Sequence, residues 1–119
     1  MKIDTQNKYG GIDISQEAIA TVVGGAILDC YGVAGLAAKN ALKDNNLSCL
    51  SAEDFSKGIF CRKGKAGYEI DAYVYLYYGV KIPEILSEIQ KKVKYELSKT
   101  FDVKLQAVNV YVIDIKEIS

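Results

Sequence analysis

The 119-residue sequence has no histidine and no tryptophan, a single proline, and 15 basic against 15 acidic residues. Without histidine the chain lacks the side chain most used for proton transfer near neutral pH, and the commonest neutral metal ligand, which argues against an enzyme and a histidine-based metal centre. A formal net charge of zero supplies no global field to hold nucleic acid or an anionic membrane surface. No apolar run approaches the roughly 18 to 20 residues of a membrane span, and the opening MKIDTQNKYGG lacks the apolar stretch of a signal peptide. The expected location is therefore the cytoplasm, without direct membrane insertion. The cysteines, Cys30, Cys49 and Cys61, are odd in number and show no C-x-x-C spacing, so reduced thiols are expected rather than disulfides or a zinc site. Cys30 falls on the apolar stripe of an expected helix, where a small buried hydrophobe is the ordinary reading. No cofactor, metal or small-molecule substrate is implied.

The length suits one domain with a real core. Residues 1–9 are polar and unpatterned and read as a loose tail; residues 10–119 read as the domain. GGIDIS gives a short strand about Ile12 and Ile14. Ser15 is a good N-cap, Glu17 lies in the first turn, and Ile19, Val22, Val23, Ala26, Ile27 and Cys30 recur at helical steps, predicting a helix over Gln16 to Tyr31 with Gly32 as its stop. Gly24 and Gly25 interrupt it at about 1 kcal/mol each relative to alanine, which suggests close packing against the backbone. The segment from Gly32 to Gly58 reads as a turn, a short helix near Leu36 to Leu42, and a loop. IFCRK and YEIDAYVYLYY, separated by GKAG, read as a hairpin.

On the longer strand Tyr68, Ile70, Ala72, Val74, Leu76 and Tyr78 share one face, while Glu69, Asp71, Tyr73, Tyr75 and Tyr77 share the other. Beyond Gly79, the positions Ile82, Leu86, Ile89, Val93 and Leu97 define the inner stripe of a helix from about Pro83 to Lys99, with Glu88 and Lys92 spaced as an outer ion pair. VKLQAVNVYVIDI supplies a last strand. The order β-α-β-β-α-β predicts an α/β (α+β) two-layer sandwich, both helices on one face of a mostly antiparallel sheet. The opposite face then shows Tyr73, Tyr75 and Tyr77, near Tyr111 and Ile113.

The blocks GGIDISQEAIATVVGGAILDCYGVAGLAAKN, FSKGIFCRK, YEIDAYVYLYYGVKIPEILSEIQKKVKYEL and VNVYVIDI resemble the alkaline shock protein family of Gram-positive bacteria, within it the YloU-like branch, from Gly10 to Ile115. The resemblance implies a small cytosolic protein linked to cell-envelope and alkaline or general stress, without enzymatic activity and hence without catalytic residues. In some relatives it implies self-assembly, or retention beneath the membrane by a small integral-membrane partner.

Three functional readings remain. In the first, the open sheet face binds a second copy or another protein through Tyr73, Tyr75, Tyr77, Tyr111 and Ile113, since tyrosine is enriched at contacts; the alternative is a face that the chain itself covers, aided by its N-terminal tail. The second is single-stranded RNA binding on a sheet platform, suggested by the element order and by KGIFCRKG, but opposed by the single arginine and zero net charge. The third is phosphate chemistry at Gly79, where GVKIPE has one glycine, no Lys-Ser/Thr pair, and Glu84 where an anion would sit. Gly79, Ile82 and Pro83 are better read as a structural joint, Gly79 releasing the strand, Ile82 packing inward and Pro83 starting the helix.

Overall fold

A computed structural model describes residues 2–5, 12–63, 65–101 and 105–117, the first fourteen by backbone alone where described. Strands β1 (Lys2–Thr5) and β2 (Ile12–Ser15) form an antiparallel hairpin, with Ile3 opposite Ile14. Of the expected loose tail, residues 2–5 are thus a strand, while residues 1 and 6–9 lie outside those described, as do Gly10 and Gly11. The strand expected first in the main sheet pairs with this segment instead.

Helix α1 (Gln16–Leu28) starts where Ser15, in extended conformation, accepts a hydrogen bond from Ala18 N–H through its hydroxyl at 3.1 Å. That satisfies one of the free donors of the first turn, and Glu17 places its charge where the helix dipole favours it. The helix ends at Leu28 rather than Tyr31: Cys30 N–H bonds to Ile27 carbonyl, three residues back, and Gly32 at φ +89° then turns the chain. The turn sets up strand β3 (Val33–Leu36), antiparallel to a later strand, where the sequence suggested a turn and a short helix. Residues 39–45 form turns. A valine and a leucine that an edge can bury outweigh the weak local helix preference of the alanines.

A short 3₁₀ helix (Ala52–Lys57) leads to β4 (Ile59–Lys63) and β5 (Tyr68–Tyr77), the expected hairpin, with Cys61 opposite Ile70. Helix α2 (Ile82–Phe101) and strand β6 (Leu105–Lys116) complete the described chain. Strand β5 is the centre of the sheet: β4 and β3 lie antiparallel to it, end to end along one edge, and β6 runs parallel along the other, with Tyr73 opposite Tyr111. Two of the three pairings in this four-stranded sheet are antiparallel. The parallel one follows from the connection, because a helix of 20 residues between two strands returns the chain to the end where it began.

Both helices cover one face, as expected. Ile70, Ala72, Val74 and Leu76 of β5 are fully buried beneath Ile19, Val23 and Ile27 of α1 and Ile89, Val93 and Leu97 of α2. On α2 the buried stripe is Ile85, Ile89, Val93 and Leu97. Ile82 was expected to pack inward, but it is 38% exposed, and Ile85 takes the inward place beside Gly32 and Val80. The helix begins one residue before the proline, and at this phase the inward direction falls three residues later. Lys92, expected to pair with Glu88 along its own helix, reaches Asp29 at the end of α1 at 3.3 Å and ties the two helices together.

Candidate functional site: the tyrosine face of the sheet

The face away from the helices is divided. At one end, Tyr73 stacks on Tyr111, ring centroids 5.0 Å apart and planes at 20°, and meets Phe60 edge-on at 6.2 Å and 82°. Each ring comes from a neighbouring strand, β4, β5 and β6 in turn, so the aromatic row crosses the sheet. Such offset and edge-to-face contacts add about 0.5–1.5 kcal/mol beyond the area they bury. Tyr111, at the outer end, is 44% exposed.

Charges flank the row. Arg62 bonds to both carboxylate oxygens of Glu69, at 2.9 and 3.4 Å, and through Nε to Asp71 Oδ2 at 3.1 Å. Asn109 donates to the other oxygen of Asp71 at 2.9 Å. Hydrogen bonding and charge from Asp71, then charge from Glu69, push the Arg62 pKa further up. Lys39 holds its ammonium 5.4 Å from the Phe60 ring centroid. The Tyr73 hydroxyl is also harder to ionise than usual, chiefly through burial and then through Asp71.

The other end of the face is closed by the chain. Tyr75, expected to face a partner, is fully buried: Ala37 and Ala41 lie on it, with Ala34, Leu47, Tyr73 and Ile113 around them. The small side chains of Ala37 and Ala41 let the segment after β3 lie close on the ring. It is held by Ala37 N–H to Tyr73 carbonyl at 2.8 Å, Lys39 N–H to Lys57 carbonyl at 3.0 Å, and Lys116 Nζ to Leu47 carbonyl at 2.8 Å. The same ammonium sits 4.4 Å from the Tyr75 ring centroid. The Tyr75 hydroxyl is buried and has no hydrogen-bond partner among the described residues; burial, then Cys49 and Asp114, raise its pKa. Tyr77 and Ile113 are half-buried. The predicted row is therefore split: Tyr73 and Tyr111 meet at the open end, Tyr75 and Ile113 lie beneath the cover, and Tyr77 sits where β5 ends.

The contact face drawn from the sequence leaves out Phe60, Arg62, Lys39 and Asn109. Alternation along IFCRK carried the signal for the first two, since Ile59 and Cys61 are core and Phe60 and Arg62 point the other way. The cover was also legible in part, as the alanines of AGLAAKNA.

The joint at Gly79 has φ +90°, and among the described residues nothing lies within 4 Å of where a methyl would sit. Pro83 and Ile82 are exposed on the first turn of α2, and the groove beside that turn is lined by Asp29, Glu84 and Glu88 together with Lys91 and Lys92. Carboxylates at a helix N-terminus occupy the position an anion would take, so the joint acts as a corner. Gly24 and Gly25 behave differently. A methyl on Gly24 would come within 2.7 Å of Phe55 Cε2, whereas one on Gly25 meets nothing within 4 Å among the described residues. Close packing thus explains Gly24 and does not explain Gly25. Among the described residues no helix is long and apolar enough to cross a membrane.

Residues 4–117 match the family of alkaline shock protein 23, described as having a cell envelope-related function. YloU of Bacillus subtilis (strain 168), itself uncharacterized, is 45% identical over 112 residues, covering 94% of this chain and 93% of its own. Spy1614 of Streptococcus pyogenes serotype M6, also uncharacterized, is 40% identical over 116 residues, covering 98% and 96%. The uncharacterized YqhY of Bacillus subtilis is 22% identical over 117 residues. No solved structure is a significant match. With nearly the whole chain matched and relatives this similar, the protein belongs to the alkaline shock protein family, whose function is related to the cell envelope.

Proposed function

We propose that this chain is a non-enzymatic cytoplasmic protein of envelope homeostasis and stress, acting through protein–protein contact at the open end of its tyrosine face. The partner is a second copy or another protein, a small integral-membrane anchor included. The observation that carries this reading is Tyr111, a large aromatic left 44% exposed at the end of a stacked row. Aromatic rings and arginine are the side chains enriched at the buried centres of interfaces, and Arg62 lies beside the row with 51% of its side chain exposed. Tyr75, under its cover, belongs to the supporting structure. An RNA platform needs a sheet face open for base stacking, and over Tyr75 this one is covered by Ala37, Ala41 and Leu47.

The test is affinity recovery from native cells at endogenous level, comparing the unaltered chain with Tyr111→Ser. Stoichiometric recovery of a protein by the former and its loss with the latter is the expected result. Equal recovery by both would place the contact elsewhere, and an integral-membrane protein among those recovered would favour anchoring.

A further inference from the structure

Among the described residues strand β6 is paired on one side only. In a strand each residue turns its N–H and C=O to the same side and the next residue turns them to the other. Tyr73 uses both groups toward the β4 and β3 edge, to Gly58 and Ala37, so Ala72 turns toward β6. In a parallel ladder Ala72, opposite Val110, bonds to the residues on either side of it, Asn109 and Tyr111. Val108, Val110 and Val112 therefore direct their backbone groups away from the sheet. The Gln90 side chain, which donates to the Val108 carbonyl at 3.0 Å, agrees with this orientation.

Of the usual protections against further pairing, which are charge, proline, bulges, a covering element or a very short strand, this edge has irregularities at Gln106 and Ile113 and the Gln90 side chain at Val108, which leave the regular stretch Ala107–Val112 with the outward groups of Val110 and Val112 open. It is 12 residues long and carries no charged residue from Leu105 through Ile113. The aromatic row from Phe60 through Tyr73 to Tyr111 also stops here, with the last ring half exposed.

We infer that β6 pairs antiparallel with β6 of a second copy about a two-fold axis at Tyr111, joining the two sheets into one. This rests on the protein-contact reading and names the edge, the occupant and the register. In that register Val110 exchanges both backbone bonds with Val112 of the second copy, and Val112 with Val110 of the second copy. Tyr111 then faces Tyr111 of the second copy as a non-hydrogen-bonded pair, the arrangement that brings side chains closest. The two rings lie on the same face of the joined sheet, so the aromatic row continues across the axis. A net charge of zero leaves no overall repulsion between the copies, and the uncharged strand opposes no like charges to itself. Gln90 ends the ladder at Val108.

The experiment uses the full chain. Light scattering across concentration is expected to show a dimer whose dissociation constant rises at least about tenfold with Val110→Pro, which removes an outward N–H that the monomer's ladder does not use. Circular dichroism and a thermal melt establish that this variant folds. With Cys30 and Cys49 changed to serine and Cys61 to alanine, Tyr111→Cys brings two Cα atoms to about 4.5 Å in the pair, within disulfide range. It should link covalently under oxidised glutathione at least about tenfold faster than Asn109→Cys, which lies two residues from the axis. A monomer at every concentration, or linking of Asn109→Cys alone as fast as Tyr111→Cys, overturns the inference even if Val110→Pro fails to fold. A monomer would leave untouched the capture of a different protein through Tyr111, whereas a linked dimer with nothing else captured would leave self-pairing as the only contact.

Discussion

Substituting alanine at Gly24 and at Gly25 separates local helix preference from tertiary packing, because the two positions are adjacent on α1 and differ in surroundings. Each substitution gains about 1 kcal/mol from backbone preference. At Gly25 a methyl meets no described residue within 4 Å, so the gain stands and stability rises by about 1 kcal/mol. At Gly24 the methyl lies 2.7 and 2.9 Å from Cε2 and Cγ of Phe55, where ordinary contact begins at 3.4 Å. The Phe55 ring is 7% exposed and sits in the core, so it has little room to retreat. Overpacking of this kind costs about 1–3 kcal/mol, making Gly24→Ala destabilising by about 1 kcal/mol net. A gap of about 2 kcal/mol separates the variants, roughly 5–10 °C in melting temperature for a domain of this size. Urea unfolding followed by circular dichroism measures it. Adding Phe55→Leu to Gly24→Ala should recover about 1 kcal/mol as a coupling term. If both alanines stabilise equally, or the double variant shows no coupling, the packing of Phe55 on Gly24 is not what holds the glycine there.

Tyr75→Phe removes a buried hydroxyl that has no partner among the described residues, and since an unmade hydrogen bond costs about 1–3 kcal/mol, the melting temperature should hold or rise. A fall of more than about 1 kcal/mol in urea would mean that the hydroxyl has a partner. Gly79→Ala should cost about 1–2 kcal/mol from the positive φ alone, because no atom of the described residues obstructs the methyl; a neutral result in the urea midpoint would show that the turn relaxes. For thiols, Cys49 is exposed whereas burial pushes the Cys61 pKa up to about 11. Ellman's reagent at pH 8 should therefore label Cys49 well before Cys61, and equal rates would contradict the packing. Because the folded Cys61 pKa lies above the unfolded value of about 8.5, its neutral thiol costs nothing below that pH. Stability is then lost as pH climbs toward about 11, where the unfolded chain ionises first. Cys61→Val should lessen that decline, and parallel curves for the two proteins would refute the shift.

The helices were legible because their signals are local. Ser15 before the apolar steps of α1, and Pro83 before those of α2, fix starts to within one residue. The phase of α2 was less secure: a stripe including Ile82 and one including Ile85 differ by a small rotation, and only contact with Gly32 and Val80 selects Ile85. Strand β3 was missed since its four residues, VAGL, carry no alternation that distinguishes a strand from a turn. Its identity comes from the edge of β5 that it completes.

The sequence by itself determined the two long helices, the β4–β5 hairpin, the last strand, the core face of β5 and family membership, because alternation, helical spacing and motif blocks are written along the chain. Tertiary structure alone decided which tyrosines meet solvent. Tyr73, Tyr75 and Tyr77 are equivalent by alternation, yet Tyr75 is buried beneath Ala37 and Ala41, while Tyr73 leans on a ring of β6. Those neighbours lie more than 30 residues away in sequence. Exposure depends on what the folded chain lays across a face, and strand periodicity specifies only which face that is.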